Sequence, residues 1–366
     1  PDEGTKRRIS PLPYNRIRKS HNAQAPDRFL SGFDWLGVCA FSRFAQGKRR
    51  RASQRGLGRK DSMETALIKV FAFVCIIIAG YWMGHTGKLG NMPGEFVSKI
   101  VFTFTLPCAV LHAFGAADFS PEMLLLVPLG FAFAFGAYLV TFAITPRAKR
   151  SERAFYLLNA CGFNLGCCAL PFVQAIFSPT MAVATCLYDA GNAFMMAGGS
   201  YALTGLIAGG KRIEHPVRFV AKRLFSSLPF DTYLLIIVLS VAGVRLPSEL
   251  VAFTEPIANA NSFLAMFMLG LMMSFSVSRE RMAKVARLVG LRAAFSVVLT
   301  CIVWLALPVD DVMRALLTLL VWSPASALAP MYTQMSGGDG GLAGFANALT
   351  IILGVIAATL IALTLV

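Results

Sequence analysis

Long apolar runs recur along the chain from Thr65 to the C-terminus, separated by short polar stretches. A run of roughly 18 or more apolar residues is long enough for an α-helix to cross a bilayer. Ten runs approach or exceed this length, and we predict that each forms a membrane-spanning helix. They are called spans 1 to 10 and lie at about 65–85, 96–115, 121–144, 154–177, 179–208, 230–246, 249–275, 286–307, 311–334 and 340–365. The pattern predicts an all-α polytopic membrane protein.

Composition supports this class. Of the 366 residues, 56% are hydrophobic and 14% are charged, whereas soluble proteins carry about 25% charged residues. The chain therefore does not resemble a soluble globular protein.

Span 4 is interrupted near its middle by Asn164, which lies between Gly162 and Gly166 and is followed by Pro171. A backbone group released from a helix inside a bilayer costs several kcal/mol unless protein or water satisfies it. Such a break indicates that backbone lines a cavity, and broken helices build the substrate sites of many secondary transporters. The alternative for the GxxxG pair is close helix packing.

The net charge of +15 is distributed unevenly. Residues 1–62 contain 15 Lys and Arg against 5 Asp and Glu, and the remaining 304 residues contain 19 against 14. The basic character thus belongs to an N-terminal tail and does not predict a nucleic-acid-binding surface. The tail, predicted to be disordered, could be a targeting sequence, a basic lipid- or nucleic-acid-binding arm, or translated upstream sequence. We favour the last interpretation, with Met63 as the start.

Lys and Arg in short loops report the orientation of a membrane protein, because cytoplasmic loops are enriched in them. The loops after spans 1, 3, 5 and 7 carry nearly all such residues, while the loops after spans 2, 4, 6 and 8 contribute only Arg245. The odd-numbered loops are therefore predicted to be cytoplasmic, and with ten spans both termini lie outside. A strongly basic tail outside would oppose this rule, which again favours Met63.

The basic loop 209–228 divides the ten spans into residues 63–208 and residues 229–366, with five spans each. Repeats with an odd number of spans must insert in opposite orientations, which makes them inverted. Pro171 of span 4 corresponds to Pro330 of span 9, and this alignment places Asn164 opposite a serine. The polar and helix-breaking residues upstream of Pro330 are Ser323, Pro324 and Ser326.

Five segments, taken in order, carry a resemblance to a known family. They are TFTLPCAV in span 2, NLGCCALP in span 4, YDAGNAF in span 5, MLGLMM in span 7, and PASALAPMYTQMSGGD from span 9 towards span 10. With this order and spacing, the chain over 65–366 resembles the auxin efflux carrier family, which includes plant auxin exporters and bacterial malonate or malate permeases. The resemblance implies two inverted five-span repeats whose broken spans 4 and 9 cross. It also implies a scaffold of spans 1, 2, 6 and 7 and a transport unit of spans 3–5 and 8–10.

The resemblance places an anion site at the crossing, beside Asn164. Its predicted surroundings are Gly162, Gly166, Pro171, Ser323, Pro324, Ser326 and Pro330. At the position in span 9 that matches Asn164, the plant pattern has Asn and this chain has Ser323, which leaves the substrate open. The alternative role for Asn164 is to cap a half-helix.

Asp189 lies deep in span 5, where a carboxylate is costly and usually functional. Together with Asn192, one turn further along, it is the candidate for proton or cation coupling. The alternative is a structural Asp189 that is neutral and bonded to the break in span 4. Other charged side chains near span ends, such as Lys69, Lys99 and Arg314, are predicted to reach towards the interface.

The sequence predicts no enzyme, because its four His and eight Cys show no catalytic, zinc or disulfide spacing. We expect a secondary transporter for a small organic anion, without a cofactor or metal, in the bacterial cytoplasmic membrane. Elevator-type movement and proton coupling are the favoured mechanism. The alternatives are a sodium-coupled transporter like the bile-acid symporters and a membrane receptor or regulatory protein. The only partners expected are the anion and the lipid bilayer, and whether the protein is a homodimer stays open.

Overall fold

A computed structural model describes residues 58–364, apart from 88, 90–92, 118, 208–212, 274 and 276–278, and the first side chain it describes is that of Thr65. Within these residues all regular structure is helical. The all-α prediction is thereby confirmed. The predicted tail lies outside the described residues as far as residue 57, and the first helix already begins at Gly58. The start at Met63 stays a prediction.

The first half of the described chain consists of short and long helices joined by irregular turns. Its α-helices are α1 (Gly58–His85), α2 (Pro93–Ile100), α3 (Leu106–Gly115), α4 (Leu126–Ile144), α5 (Arg150–Ala160), α6 (Leu170–Ile176), α7 (Pro179–Phe194) and α8 (Ser200–Ile207). Two π-helical turns interrupt this series, Val101–Thr105 before α3 and Leu165–Ala169 before α6. A kink within Met195–Gly199, where Gly198 has a φ of +139°, separates α7 from α8. A 3₁₀ turn at Pro121–Leu125 precedes α4.

The second half begins with a helix that lies across the direction of the next one. Its α-helices are α9 (Pro216–Leu224), α10 (Leu228–Val241), α11 (Ser248–Met272), α12 (Arg279–Leu305), α13 (Asp311–Val321), α14 (Ala329–Met335) and α15 (Gly340–Thr364). The bend between α9 and α10 is 81°. The helix α9 begins with a proline and carries basic residues. Because helices with a basic face lie at the surface of a membrane, α9 suits that surface rather than the membrane interior.

By length and apolar composition, the described residues contain five helices that could cross a membrane, or up to seven if each of two bent pairs is one span. One bent pair is α5 with the helical segment from Leu165 to Ile176, at an angle of 42°, and this pair is the predicted span 4. The predicted spans 5 and 9 are each divided, into α7 and α8 and into α13 and α14. The predicted span 7 is α11, which carries Glu255, Asn259 and Asn261. These helices support a multi-pass membrane protein, and a total of ten spans stays a prediction.

Glycines bring two pairs of helices into close contact. A Cβ atom added to Gly80 of α1 or to Gly270 of α11 would lie 2.4 or 2.1 Å from a backbone oxygen of the other helix. At Gly130 of α4 and Gly191 of α7 the corresponding distances are 2.0 and 1.8 Å. Small residues allow such close approach of helices in membranes. The contacts make α1 with α11, and α4 with α7, two tightly packed pairs.

One end of the molecule carries a concentration of basic residues. It comprises the turn after α4, where α5 begins, and the helix α9 before α10. Its Lys and Arg residues include Arg147, Lys149, Arg150, Arg218, Lys222 and Arg223. We call this end the basic face, and the end where α3 and α6 finish the opposite face. Lys88, Lys211 and Arg212, which also entered the orientation prediction, lie outside the described residues.

Candidate functional site

The two broken helices meet through their backbones. Span 4 leaves the helical path after Ala160 and resumes at Leu165, and span 9 leaves it after Val321 and resumes at Ala329. The backbone N–H of Asn164 donates a hydrogen bond to the carbonyl of Pro324, with an N–O distance of 3.0 Å. The predicted neighbours Asn164 and Pro324 are therefore in direct contact, and we call the point where the two breaks meet the crossing.

Gly162 allows the chain to turn within the first break. Its φ is +75°, a region that residues with a Cβ avoid at a cost of roughly 1–2 kcal/mol. A Cβ atom at this position would also lie 3.1 Å from Cγ of Met196 and 3.9 Å from Cβ of Ser326. The predicted pair Gly162 and Ser326 thus lies on the two sides of the crossing.

Asn192 satisfies the backbone of the first break. Its side-chain oxygen accepts a hydrogen bond from the N–H of Phe163 at 3.0 Å, and its Nδ2 donates to the carbonyl of the same residue at 2.8 Å. Both backbone groups of Phe163 have left the helix and would otherwise be buried without a partner, which is costly in a membrane. The structure therefore gives Asn192 a supporting position in the break.

Asp189 is bonded to two donors around its carboxyl group. Nδ2 of Asn192 donates to Oδ1 at 2.9 Å, and the hydroxyl of Tyr233 donates to Oδ2 at 2.9 Å. An ionised carboxylate can accept both because it has four lone-pair sites and no proton of its own. The sequence did not indicate Tyr233, which reaches the site from α10.

These residues surround a small cavity of about 90 Å³, which we call the crossing cavity. Its polar lining includes Asn164, Asp189 and Tyr233, and it extends towards Ser227 at the basic face. The side chain of Asn164 is 2% exposed. Within the part of the chain that the structure describes, its Nδ2 has no hydrogen-bond partner. The cavity thus contains a buried donor that is free to bind a ligand.

Other predicted site residues lie around the crossing without lining the cavity. The hydroxyl of Ser323 donates to the carbonyl of Leu319 at 3.2 Å, and Oγ of Ser326 accepts from the N–H of Leu328 at 3.2 Å. Both serines are therefore engaged with the ends of α13 and α14. Pro324 contributes its carbonyl to the crossing.

The two aligned prolines are placed apart from the cavity. Pro171 lies in the first turn of α6 and lines a different cavity, on the opposite face. Pro330 lies in the first turn of α14. The position of Pro330 suits proline, whose missing N–H is not needed in a first helical turn, whereas Pro171 lies inside the continuous helical segment from Leu165 to Ile176, directly after its π-helical turn.

Arg292 of α12 was not singled out from the sequence. Its Nη1 donates to the carbonyls of Asn159, Ala160 and Gly162 at 3.2, 2.9 and 3.1 Å. Its Nη2 donates to the carbonyl of Ser323 at 3.1 Å, so one guanidinium joins both breaks. The sequence does contain an indication of its role, since a charged residue inside the apolar run 286–307 is a functional candidate by itself.

Arg292 and Asp189 are the only charged residues whose side chains are buried in the described part of the chain, at 5% and 8% exposure. One positive and one negative charge thus flank the crossing. Within the described residues, no group of three or more His, Cys, Asp or Glu is arranged to hold a metal ion.

Comparison with known proteins points to one family. Residues 65–213 match the family model for membrane transport proteins, and among curated proteins none matches the chain. The matched segment contains TFTLPCAV, NLGCCALP and YDAGNAF, so the resemblance expected from these motifs is confirmed there. Over residues 65–213 the chain is similar to the membrane transport proteins of the auxin efflux carrier family, and this match together with the apolar helices indicates a multi-pass membrane transporter.

Proposed function

We propose that the protein is a secondary active transporter for a small organic anion, a mono- or dicarboxylate such as malonate, which binds in the crossing cavity. The observation that carries this proposal is the unpartnered Nδ2 of Asn164 in that cavity. A buried donor without an acceptor costs roughly 1–3 kcal/mol. A carboxylate oxygen of the substrate would remove this cost, whereas a cation would not.

The size of the crossing cavity favours a substrate with few carbon atoms. Its volume is about 90 Å³, far below the roughly 300–1,000 Å³ of sites for drug-sized ligands. A compact carboxylate suits this volume better than a steroid-sized anion.

The charges at the crossing favour entry of the anion together with a proton. Asp189 and Arg292 balance each other when both are ionised, so a bound monocarboxylate would leave one negative charge in excess and fully ionised malonate would leave two. Excess charge in an apolar interior is costly, and a neighbouring carboxylate favours the protonated form of another. Proton coupling through Asp189 therefore accompanies the proposed site.

The same contacts speak against the sodium-coupled alternative. A sodium ion at the crossing would need oxygen ligands, and the carbonyls of Asn159, Ala160, Gly162 and Ser323 are already bonded to Arg292 at 2.9–3.2 Å. The guanidinium already supplies positive charge to these four oxygens.

The proposed architecture is ten spans in two inverted repeats, with elevator-type movement in a bacterial cytoplasmic membrane. The crossing breaks support two related repeats. The close pair α1 with α11 belongs to the proposed scaffold, and the close pair α4 with α7 belongs to the proposed moving unit. The basic face supports a cytoplasmic position for that end, which puts both termini outside.

The test is transport in proteoliposomes screened over malonate, malate, pyruvate and indole-acetate, with and without a proton gradient. Asn164→Ala removes the free donor, so the apparent affinity for the transported anion should fall about tenfold or more, as expected for a hydrogen bond to a charged group. The matched control is Asn261→Ala. Asn261 is also fully buried with an unpartnered Nδ2, but it does not line the crossing cavity.

Unchanged anion affinity in a well-folded Asn164→Ala protein would remove Asn164 from the site. A wild-type protein that moves none of these anions, yet binds one and changes conformation, would instead support the receptor alternative.

A further inference from the structure

A second cavity gathers polar side chains from four helices on the opposite face. Its volume is about 470 Å³, and we call it the Lys69 cavity. Its polar lining consists of Lys69 from α1, His112 from α3, Gln174 from α6, and Asn259 and Ser262 from α11. All five residues lie within predicted membrane spans, where polar side chains usually mark a substrate path.

The polar groups of this cavity are only partly engaged with the protein. Nδ1 of His112 lies 3.3 Å from the carbonyl of Val251, and Ser262 donates to Oε1 of Gln174 at a long 3.5 Å. Among the described residues, Lys69 forms no ion pair and Asn259 no hydrogen bond, and no Asp or Glu lines the cavity. The cavity therefore offers a cation and an amide to a ligand that is negatively charged.

The Lys69 cavity and the crossing cavity lie along the same helices at different heights. On span 2 the crossing cavity touches Leu106 and the Lys69 cavity begins at His112. On span 4 the change occurs between Cys167 and Pro171. Four helical residues correspond to about 6 Å of rise. Only about one helical turn of protein therefore separates the two cavities along span 4.

From this placement we infer that the Lys69 cavity is a second anion-binding station of the transport path, for a small carboxylate held by Lys69 and the amide of Asn259. The inference rests on the proposed function for the identity of the anion. It assigns Lys69 a role that differs from the predicted reach towards the interface. Each of the two cavities would hold an anion, and about one helical turn of protein would separate the two anions.

The first test measures the charge preference of the cavity without using a substrate. Asn259→Cys is reacted with an anionic and with a cationic methanethiosulfonate reagent, and the parent protein supplies the background from native cysteines. With Lys69 present the anionic reagent should react faster, and adding Lys69→Gln should lower the ratio of the two rates about tenfold, the factor that roughly 1.4 kcal/mol produces. The control is Lys99→Gln, because Lys99 is exposed like Lys69 but is paired with Glu95 at 3.0 Å and does not line the cavity. A ratio that Lys69→Gln leaves unchanged would overturn the inference.

The second test measures malonate binding to the purified protein by calorimetry. The wild type should bind two malonate ions, and Asn164→Ala and Lys69→Gln should each weaken one of the two binding steps about tenfold or more. A weakened step in Lys69→Gln alone would uphold the Lys69 station and refute the proposed role of Asn164. Two unweakened steps in Lys69→Gln, or no detectable malonate binding combined with an unchanged labelling ratio, would refute the station itself.

Discussion

The two buried charges at the crossing are stabilised in different ways. Asp189 receives donors from the side chains of Asn192 and Tyr233. Arg292 donates hydrogen bonds to backbone carbonyls of both broken helices, and its guanidinium also lies 5.5 Å from the centre of the Phe163 ring. Carbonyls at helix ends carry partial negative charge, so the guanidinium is compensated without a carboxylate partner. Asp189 remains the group that can gain or lose a proton while Arg292 keeps its charge.

Asp189→Asn should uncouple transport from the proton gradient. The amide keeps nearly the same shape but cannot take up a proton, so accumulation against a gradient should disappear while exchange of the anion continues. Transport should also lose its dependence on pH between about 5 and 8, where a buried carboxylate can titrate. The measurement is uptake and counterflow in proteoliposomes at several pH values. Accumulation with normal pH dependence in this variant would show that Asp189 is structural and that any coupling residue lies elsewhere.

Arg292→Gln should destabilise the protein strongly, because four carbonyl contacts lose their shared donor group. Removing one partner from a buried charged contact costs about 3–5 kcal/mol, and the measurement is thermal unfolding in detergent. Arg314→Gln is the control, since Arg314 is partly exposed and pairs with Asp311 at 3.0 Å, an arrangement worth about 0–1 kcal/mol. Equal melting temperatures for the two variants would exclude the bridging role of Arg292.

Single residues were predictable where a polar group interrupts an apolar run. Asn164 and Asp189 stand out for this reason, and both line the crossing cavity. The bond from Tyr233 to Asp189 was not predictable, because the two residues are 44 positions apart and tyrosine is common in spans. The sequence also could not separate the roles of Asp189 and Asn192, because the contact of Asn192 with Phe163 depends on how the break folds.

At the scale of elements, the first break depends on the backbone conformation of Gly162. Gly162→Ala should lower the melting temperature and impair transport, because alanine at a φ of +75° costs roughly 1–2 kcal/mol and its Cβ would crowd Met196. The control is Gly136→Ala in α4, where an added Cβ meets no atom within 4 Å and alanine favours the helix. If both variants unfold at the wild-type temperature, the turn at Gly162 does not constrain the fold.

The elements were partly predictable. Long apolar runs identify α1, α4, α12 and α15, and the Gly-Asn-Gly pattern identifies the break in span 4. The π-helical turns were not predictable, because a shift from one hydrogen-bond partner to the next depends on neighbouring helices. The division of span 9 was indicated by its prolines, but its contact with Asn164 required the tertiary structure.

At the scale of the whole molecule, the orientation prediction concerns the two faces. Ser178, between α6 and α7, lies on the opposite face, and Pro146, after α4, lies on the basic face; both are exposed. Cysteine at Ser178 should react with an impermeant maleimide added to intact cells, and cysteine at Pro146 should react only after permeabilisation. The reversed pattern would contradict a cytoplasmic basic face, and labelling of both positions in intact cells would contradict a membrane between them.

The arrangement of the whole molecule was harder to predict from the sequence than its individual helices. The family match covers residues 65–213, so the second half depends on weaker internal similarity to the first. Divided helices such as α13 and α14 fall below the length at which a single helix can be recognised as a span. The pairing of the breaks nevertheless followed from aligning Pro171 with Pro330.

The two π-helical turns have a mechanical consequence, because each contributes to the wall of the crossing cavity, through Phe102 or Cys167. A π-turn holds one more residue than an α-turn, since its hydrogen bonds run from i to i+5. Converting such a turn to α-helix would rotate the following side chains by about 100° and shift them by about 1.5 Å. The wall of this cavity can thus exchange the side chains it presents by a change of hydrogen-bond register, while every span keeps its backbone paired inside the bilayer.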